Sequence, residues 1–271
     1  MKHRLTITLS PELLQTVDKL VDRKNIRNRS HAIEHLIRQS IGKNVTTAVL
    51  LAGGEKREEK DTLLKVIKGK TLLERQVEHL KKYGITRCVI CLNKSDKKIE
   101  KLFSNGSTLG ILIEYSYEPK KLGTAGALKQ AEGFLKNEVA FVVMHGDVIS
   151  TIELDELIAF HQTEMAEATL VVKPKLGEKE LGQVYMKGSR VTSFSKTAVE
   201  REMSIINTGI YVLSTSLLKL LSAKKASFLE TDVFPVLAEE NKLSAYIFQG
   251  IWYDISTTVQ YHEAEQQWLV D

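Results

Sequence analysis

Two aspartates and a few runs of small residues carry the chemistry that this chain can offer. Asp147 follows the apolar run Ala140–Met144 as the end of His145-Gly146-Asp147, and Asp254 lies within Trp252-Tyr253-Asp254-Ile255-Ser256-Thr257. An apolar run of that length reads as a buried strand, and open α/β sheets bind ligands outside the carboxyl ends of their strands. Two carboxylates brought together there can hold Mg²⁺ against phosphate oxygens, since Mg²⁺ prefers hard oxygen ligands. For either aspartate alone, helix capping is the alternative role. Earlier in the chain, Ala52, Gly53 and Gly54 close the apolar run Ala48–Leu51 with residues small enough for phosphates to approach the backbone. Gly123-Thr124-Ala125-Gly126 is small enough to lie flat under a base or ribose, and Glu118 comes just before it.

These residues need a frame. Residues 46–70 read in order as a strand, a glycine turn, the charged segment Glu55–Asp61, an apolar patch, and Gly69-Lys70 before an amphipathic helix. That order commonly opens an α/β nucleotide site. Arg87–Leu92, Ile111–Tyr115 and Ala140–Met144 are expected strands, while Leu72–Tyr83, Thr124–Phe134 and Leu154–Gln162 are expected helices. Such alternation predicts an open, mostly parallel sheet with helices on both faces. Cys88 and Cys91 fall in the β-like run Cys-Val-Ile-Cys; without a second pair they read as buried strand cysteines of a reducing cytoplasm.

Composition sets the outer bounds. The chain has 271 residues, 43% hydrophobic and 27% charged, as expected for one large domain with an appendage or for two modest domains. No apolar run approaches the roughly 18 residues of a membrane span, and the N-terminus lacks a signal-peptide core, so a cytoplasmic location is expected. Charge is unevenly divided. Residues 1–45 hold nine Lys/Arg and four Asp/Glu, leaving 29 basic and 30 acidic residues in the remainder. The excess of +4 therefore belongs to a small basic module joined to a neutral domain through a short linker at Lys43–Thr46.

In that module, Leu5, Ile7 and Leu9 alternate with Arg4, Thr6 and Thr8, a strand pattern too short to be stable alone. Ser10-Pro11 starts one helix, with Leu13, Leu14, Val17, Leu20 and Val21 at helical spacing. Ser30 is the expected cap of a second helix, which carries Ala32, Ile33, Leu36, Ile37 and Ile41 and stops at Gly42. About forty residues cannot bury these stripes alone, and dimerisation would pair the strands and merge the helices into one core. On the strand HRLTITL, the turn SPELL and the helix opening NRSHAI, residues 2–42 resemble the ribbon-helix-helix family of DNA-binding proteins. That resemblance implies a homodimer on double-stranded DNA, with Arg4, Thr6 and Thr8 facing bases and Arg29 and Ser30 holding the phosphate backbone. A dimerisation ribbon whose basic residues only aid solubility is the plainer reading.

Residues 46–271 resemble the sugar-1-phosphate nucleotidyltransferases. The resemblance rests on LLAGG at 50–54, GKTLLE at 69–74, YEPKKLGTAGAL at 117–128, HGDV at 145–148, FSK at 194–196, INTGIYVL at 206–213, LETDVFPVLAEENKL at 229–243 and WYDIST at 252–257. It implies a Rossmann-like nucleotidyltransferase sheet behind a small dimeric module, with the division at 1–43 and 46–271. It also implies Mg²⁺ on Asp147 and Asp254; nucleotide contacts from Leu51, Ala52, Gly53, Gly54, Glu118, Gly123, Thr124, Ala125 and Gly146; sugar contacts from Asn207, Thr208, Gly209 and Glu230; and catalytic Arg57 and Lys196. The front departs from the family pattern. Glu55, Lys56 and Arg57 follow Gly54 where a further glycine and a threonine are usual, no Pro-Lys pair follows, and Ser195 replaces a glutamate before Lys196. Charge builds on departing pyrophosphate in nucleotidyl transfer, so a chain without that cradle should lose turnover before it loses binding. The expected function is a DNA-binding regulator with a nucleotide-sugar or sugar phosphate as effector. The alternative is an active transferase that the ribbon oligomerises or autoregulates.

Overall fold

A computed structural model describes residues 6–22, 26–41, 45–53, 62–94, 97–176, 183–195, 203–222 and 225–268. The chain forms two compact units that divide between Asn44 and Val45.

The first unit contains α1 (Pro11–Leu20) and α2 (Arg29–Ile41). Ser10 caps α1 through Oγ, which accepts the Leu13 N–H at 3.4 Å, and Pro11 occupies the first turn, where its missing N–H costs nothing. The cap of α2 differs from the expectation. Asn28 Oδ1 accepts the His31 N–H at 2.9 Å, and Ser30 lies inside the first turn. Both residue types cap well; the chain turns helical two residues earlier than Ser30 requires. Val17, Ile26 and Ala32 form a small core with Leu9, Leu20, Val21, Ile33 and Leu36 against it. Residues 6–9 have no strand partner among the described residues, and Thr6 and Thr8 are exposed.

In the second unit the strands are β1 (Thr47–Leu51), β2 (Val66–Ile67), β3 (Lys70–Thr71), β4 (Arg87–Asn93), β5 (Leu112–Glu118), β6 (Ala140–His145), β7 (Val148–Ser150), β8 (Ala168–Leu176), β9 (Gln183–Lys187), β10 (Arg190–Ser195), β11 (Met203–Ser214), β12 (Leu243–Ile247) and β13 (Trp252–Asp254). The helices are α3 (Leu72–Lys82), α4 (Lys97–Phe103), α5 (Gly123–Gln130), α6 (Leu154–Glu164), α7 (Phe234–Glu239) and α8 (Thr258–Gln267). Nine strands form one sheet in the order β5-β4-β1-β6-β11-β8-β12-β10-β9. The stretch from β5 to β6 is parallel, as is β8 with β12, and the other neighbours are antiparallel.

The β1 strand shows why the centre is well determined. Ala48 and Leu50 enter one core, Val49 and Leu51 the other, so both faces are covered and no polar residue interrupts the run. Cys88 and Cys91 divide the same way and are free and buried; burial pushes the Cys88 thiol up to about 12. The register Leu51↔Cys91 and Leu51↔His145 brings the carboxyl ends of three parallel strands level. β7 and β13 form a separate two-stranded ribbon backed by Ile67, Leu72, Ile149, Ile255 and Ala264. Among the described residues, no helix is long and apolar enough to cross a membrane.

Candidate functional site

The two aspartates meet on the β7–β13 ribbon. Asp254 is in register with Val148, next in sequence to Asp147, and the Ile255 N–H donates to the Asp147 carbonyl at 2.7 Å. Burial, and then the charge of Asp147, raise the Asp254 carboxyl above the ordinary carboxylate range. The Ser256 N–H, 2.9 Å from Asp254 Oδ1, partly opposes that rise. Two half-buried carboxylates that repel one another, with the His145 ring partly offsetting them, fit a divalent cation. Among the described residues no third His, Cys, Asp or Glu completes a metal cage, which suits Mg²⁺ shared with water and ligand phosphates.

Beside them lies a polar cluster built from four parts of the chain. His145 Nε2 is 3.3 Å from Glu230 Oε1, and the Tyr211 hydroxyl donates to that same oxygen at 3.1 Å. Thr124 Oγ1 donates to Glu230 Oε2 at 2.9 Å and accepts the Leu229 N–H at 2.8 Å. Asn207 Nδ2 donates to the Tyr211 hydroxyl at 2.8 Å. Burial opposes charge on His145, yet Glu230, and then Asp147 and Asp254, outweigh it and raise its pKa. Glu230 is penalised by burial, but His145 draws its carboxyl below the usual range. Each partner thus favours the charged form of the other. Glu230 itself projects from a π-turn, Leu229–Val233, a rare geometry that recurs at functional sites. Gly209 has φ +74°, and a Cβ there would come within 2.9 Å of the His145 ring, so glycine is needed on both counts. Thr208 is buried, its hydroxyl donating to the Val171 carbonyl at 2.8 Å, while its own carbonyl accepts the Trp252 indole N–H.

At the end of β1, a Cβ on Gly53 would collide with Glu118 Oε1. Asn93 Nδ2 donates to the Gly53 carbonyl at 3.1 Å, and Glu118 Oε2 accepts the Leu122 N–H at 2.9 Å. Burial raises the Glu118 carboxyl, with the Leu122 N–H opposing. The Gly146 N–H donates to the Leu51 carbonyl at 2.8 Å, and the Ala52 N–H to the Cys91 carbonyl at 2.9 Å. The small residues of α5 are used differently from the sequence expectation. Gly123 (φ +73°) makes room for the Ser227 carbonyl, which accepts the N–H groups of Ala125 and Gly126 at 3.1 and 3.3 Å. Smallness there serves the chain's own approach, and Thr124 alone of the four turns its side chain to the cluster.

Thus Asp147, Asp254, Thr124, Asn207, Gly209 and Glu230 are drawn to one end of the sheet. Arg29 lies in the first unit, where its guanidinium forks onto Asp18 at 2.6 and 2.9 Å. Arg4, Gly54, Arg57 and Lys196 lie outside the described residues. His145 and Tyr211 had no role in the sequence reading. A histidine one residue before Gly-Asp was the available signal.

Residues 47–270 match the family model described as Nucleotidyl transferase, and residues 3–43 match that of the Ribbon-helix-helix protein, copG family. A mannose-1-phosphate guanylyltransferase catalytic subunit beta of Danio rerio is 32% identical over 77% of this chain and 60% of its own length. A probable mannose-1-phosphate guanylyltransferase 3 of Arabidopsis thaliana is 34% identical over 74% of this chain and 62% of its own length. The chain thus spans about three fifths of these curated relatives. Among solved structures, HddC from Yersinia pseudotuberculosis superposes with a TM-score of 0.72 at 21% identity, covering 83% of this chain and 100% of that one. A putative glucose-1-phosphate thymidylyltransferase from Bacillus anthracis gives 0.73 at 19% identity, covering 81% and 94%. Both show the same fold. The chain belongs to the nucleotidyl transferase family and carries a ribbon-helix-helix domain ahead of that fold.

Proposed function

We propose that this protein is a DNA-binding regulator whose nucleotidyltransferase-like cleft binds a nucleotide-sugar, or the sugar phosphate from which one is made, as effector. The relatives' names point to a guanosine and mannose ligand. The observation that carries the reading is the assembled cluster of Asp147, Asp254, Glu230, His145 and Thr124, in a chain whose sequence at 54–61 lacks the further glycine and the threonine of a pyrophosphate cradle. Asp147 and Asp254 would hold Mg²⁺, which would neutralise ligand phosphates there. Glu230, kept ionised by His145, would accept sugar hydroxyl protons, and Thr124 would fix its other oxygen. A homodimer in the cytoplasm, gripping duplex through paired N-terminal strands, completes the picture. Ligand would alter operator binding only through a difference in affinity between the DNA-bound and free states.

The test is a thermal melt with Mg²⁺ and GDP-mannose, mannose 1-phosphate or other nucleotide-sugars, run beside a pyrophosphate-release assay with each nucleoside triphosphate. Stabilisation by a nucleotide-sugar without pyrophosphate release supports the sensor. Brisk release would replace it with the second reading, a working transferase, which the retained carboxylate pair and the relatives' names favour.

The Arg29–Asp18 fork makes a separate prediction. A phosphate oxygen can engage Arg29 fully only once Asp18 lets go, so Asp18 competes with DNA. Asp18→Asn should tighten binding to any duplex several-fold at low salt, whereas Arg29→Ala should weaken it and reduce the salt slope by about 1. Fluorescence anisotropy across a salt series measures both; weaker binding by Asp18→Asn would mean that Asp18 aims Arg29 rather than occupying it.

A further inference from the structure

The turn that presents Asp147 is held by a side chain from a distant helix. α3 starts with a capping box, in which Thr71 Oγ1 accepts the Glu74 N–H at 3.2 Å and Glu74 Oε2 accepts the Thr71 N–H at 2.7 Å. This fixes where the helix begins, and with it the place of Gln76 in the next turn. Gln76 is 1% exposed. Its Nε2 donates to the His145 carbonyl at 3.1 Å and to the Val148 carbonyl at 2.7 Å, the two groups that bracket Gly146-Asp147. Val148 is also the residue paired with Asp254, so one amide holds the end of the two-stranded ribbon where both carboxylates lie. Gln76 Oε1 is buried without a hydrogen-bond partner among the described residues. A buried orphan acceptor costs stability, so the amide is retained for what its nitrogen does.

We propose that Gln76 is a positioning residue for the metal site, setting the conformation of the His145–Val148 turn so that Asp147 faces Asp254 across the spacing that a divalent cation needs. It touches neither cation nor ligand. The proposal rests on reading the two aspartates as the metal site. Partners of this kind around metal ligands typically change affinity 10–100-fold when removed.

Mn²⁺ titrated into the full-length protein and followed by electron paramagnetic resonance provides the test, with Tm recorded for each variant. Gln76→Met, close in shape but without the donor, should bind Mn²⁺ about 10–100-fold more weakly. Gln76→Asn keeps the amide one methylene short and should fall between; it also serves if Gln76→Met does not fold. Arg75→Met is the control for general softening of the helix. Arg75 is its buried neighbour and binds the Ile67 and Lys68 carbonyls at 3.1 and 2.6 Å, away from the turn, so this variant should lower Tm and leave Mn²⁺ affinity unchanged. Wild-type affinity in the folded Gln76 variants, or equal weakening by Arg75→Met, overturns the proposal alone. A wild type that binds no Mn²⁺ overturns the carboxylate reading, and this proposal with it.

Discussion

Asp254→Asn is expected to abolish Mg²⁺-dependent stabilisation by a nucleotide-sugar while raising the Tm of the metal-free protein. The two effects share one cause. Burial and Asp147 raise the Asp254 carboxyl above its ordinary range, so the folded state holds that proton more tightly than the unfolded chain does. The benefit is fully present below the unfolded pKa and is lost as pH rises through the folded one. Above that folded pKa the charged Asp254 carboxylate burdens the empty fold, and asparagine removes the burden while still accepting the Ser256 N–H through Oδ1. Asp147→Asn should act in the same direction, by removing the charge that opposes Asp254. In the wild type, a ligand at about 100 times its Kd adds about 2.7 kcal/mol, or about 5–10 °C for a unit of this size. Neither variant should shift by more than about a tenth of that. Differential scanning fluorimetry with and without Mg²⁺ and GDP-mannose reads both effects. A lower metal-free Tm, or an undiminished ligand shift, would remove the aspartates from the metal site.

Much of this site was legible because its parts are local patterns. Asp147 stands three residues beyond the apolar run Ala140–Met144 and Asp254 follows Ile251-Trp252-Tyr253, while β1 and β6 are uninterrupted enough to read as buried strands. Cooperation between distant residues was not legible. Gln76 acts on carbonyls about seventy residues away, and Tyr211 meets Glu230 only because β11 lies beside β6 and the π-turn folds back onto it. Nothing in a linear pattern encodes those meetings. The glycines near 123 show a related limit. Smallness announces a close approach without saying what approaches, and here Ser227 does. The α2 cap shows the same limit at short range, since Asn28 and Ser30 both suit a helix start and only the path of the chain decides.

Ile7→Asp should split the dimer and reduce DNA binding to the non-specific level, about 10³-fold or more below wild type. The case comes from what the single first unit leaves uncovered. Ile7, Leu13 and Ile37 are 44, 57 and 44% exposed, although all three lie on the apolar stripes of their segments. Among the described residues, Val17, Ile26 and Ala32 are a small buried apolar core for a unit of this length, and residues 6–9 have no strand partner. A second copy would supply both: its strand would pair with this one, and its helices would cover the exposed apolar side chains. An aspartate at position 7 would place a charge in that shared core, which is costly when unpaired. Thr6→Ala, one residue along on the opposite face, should leave the dimer intact and lose discrimination between operator and random duplex. Light scattering and anisotropy on the full chain separate the two outcomes. If Ile7→Asp stays dimeric and binds its operator like wild type, the strands are not the dimer seam, and the outward threonines lose their place in the groove.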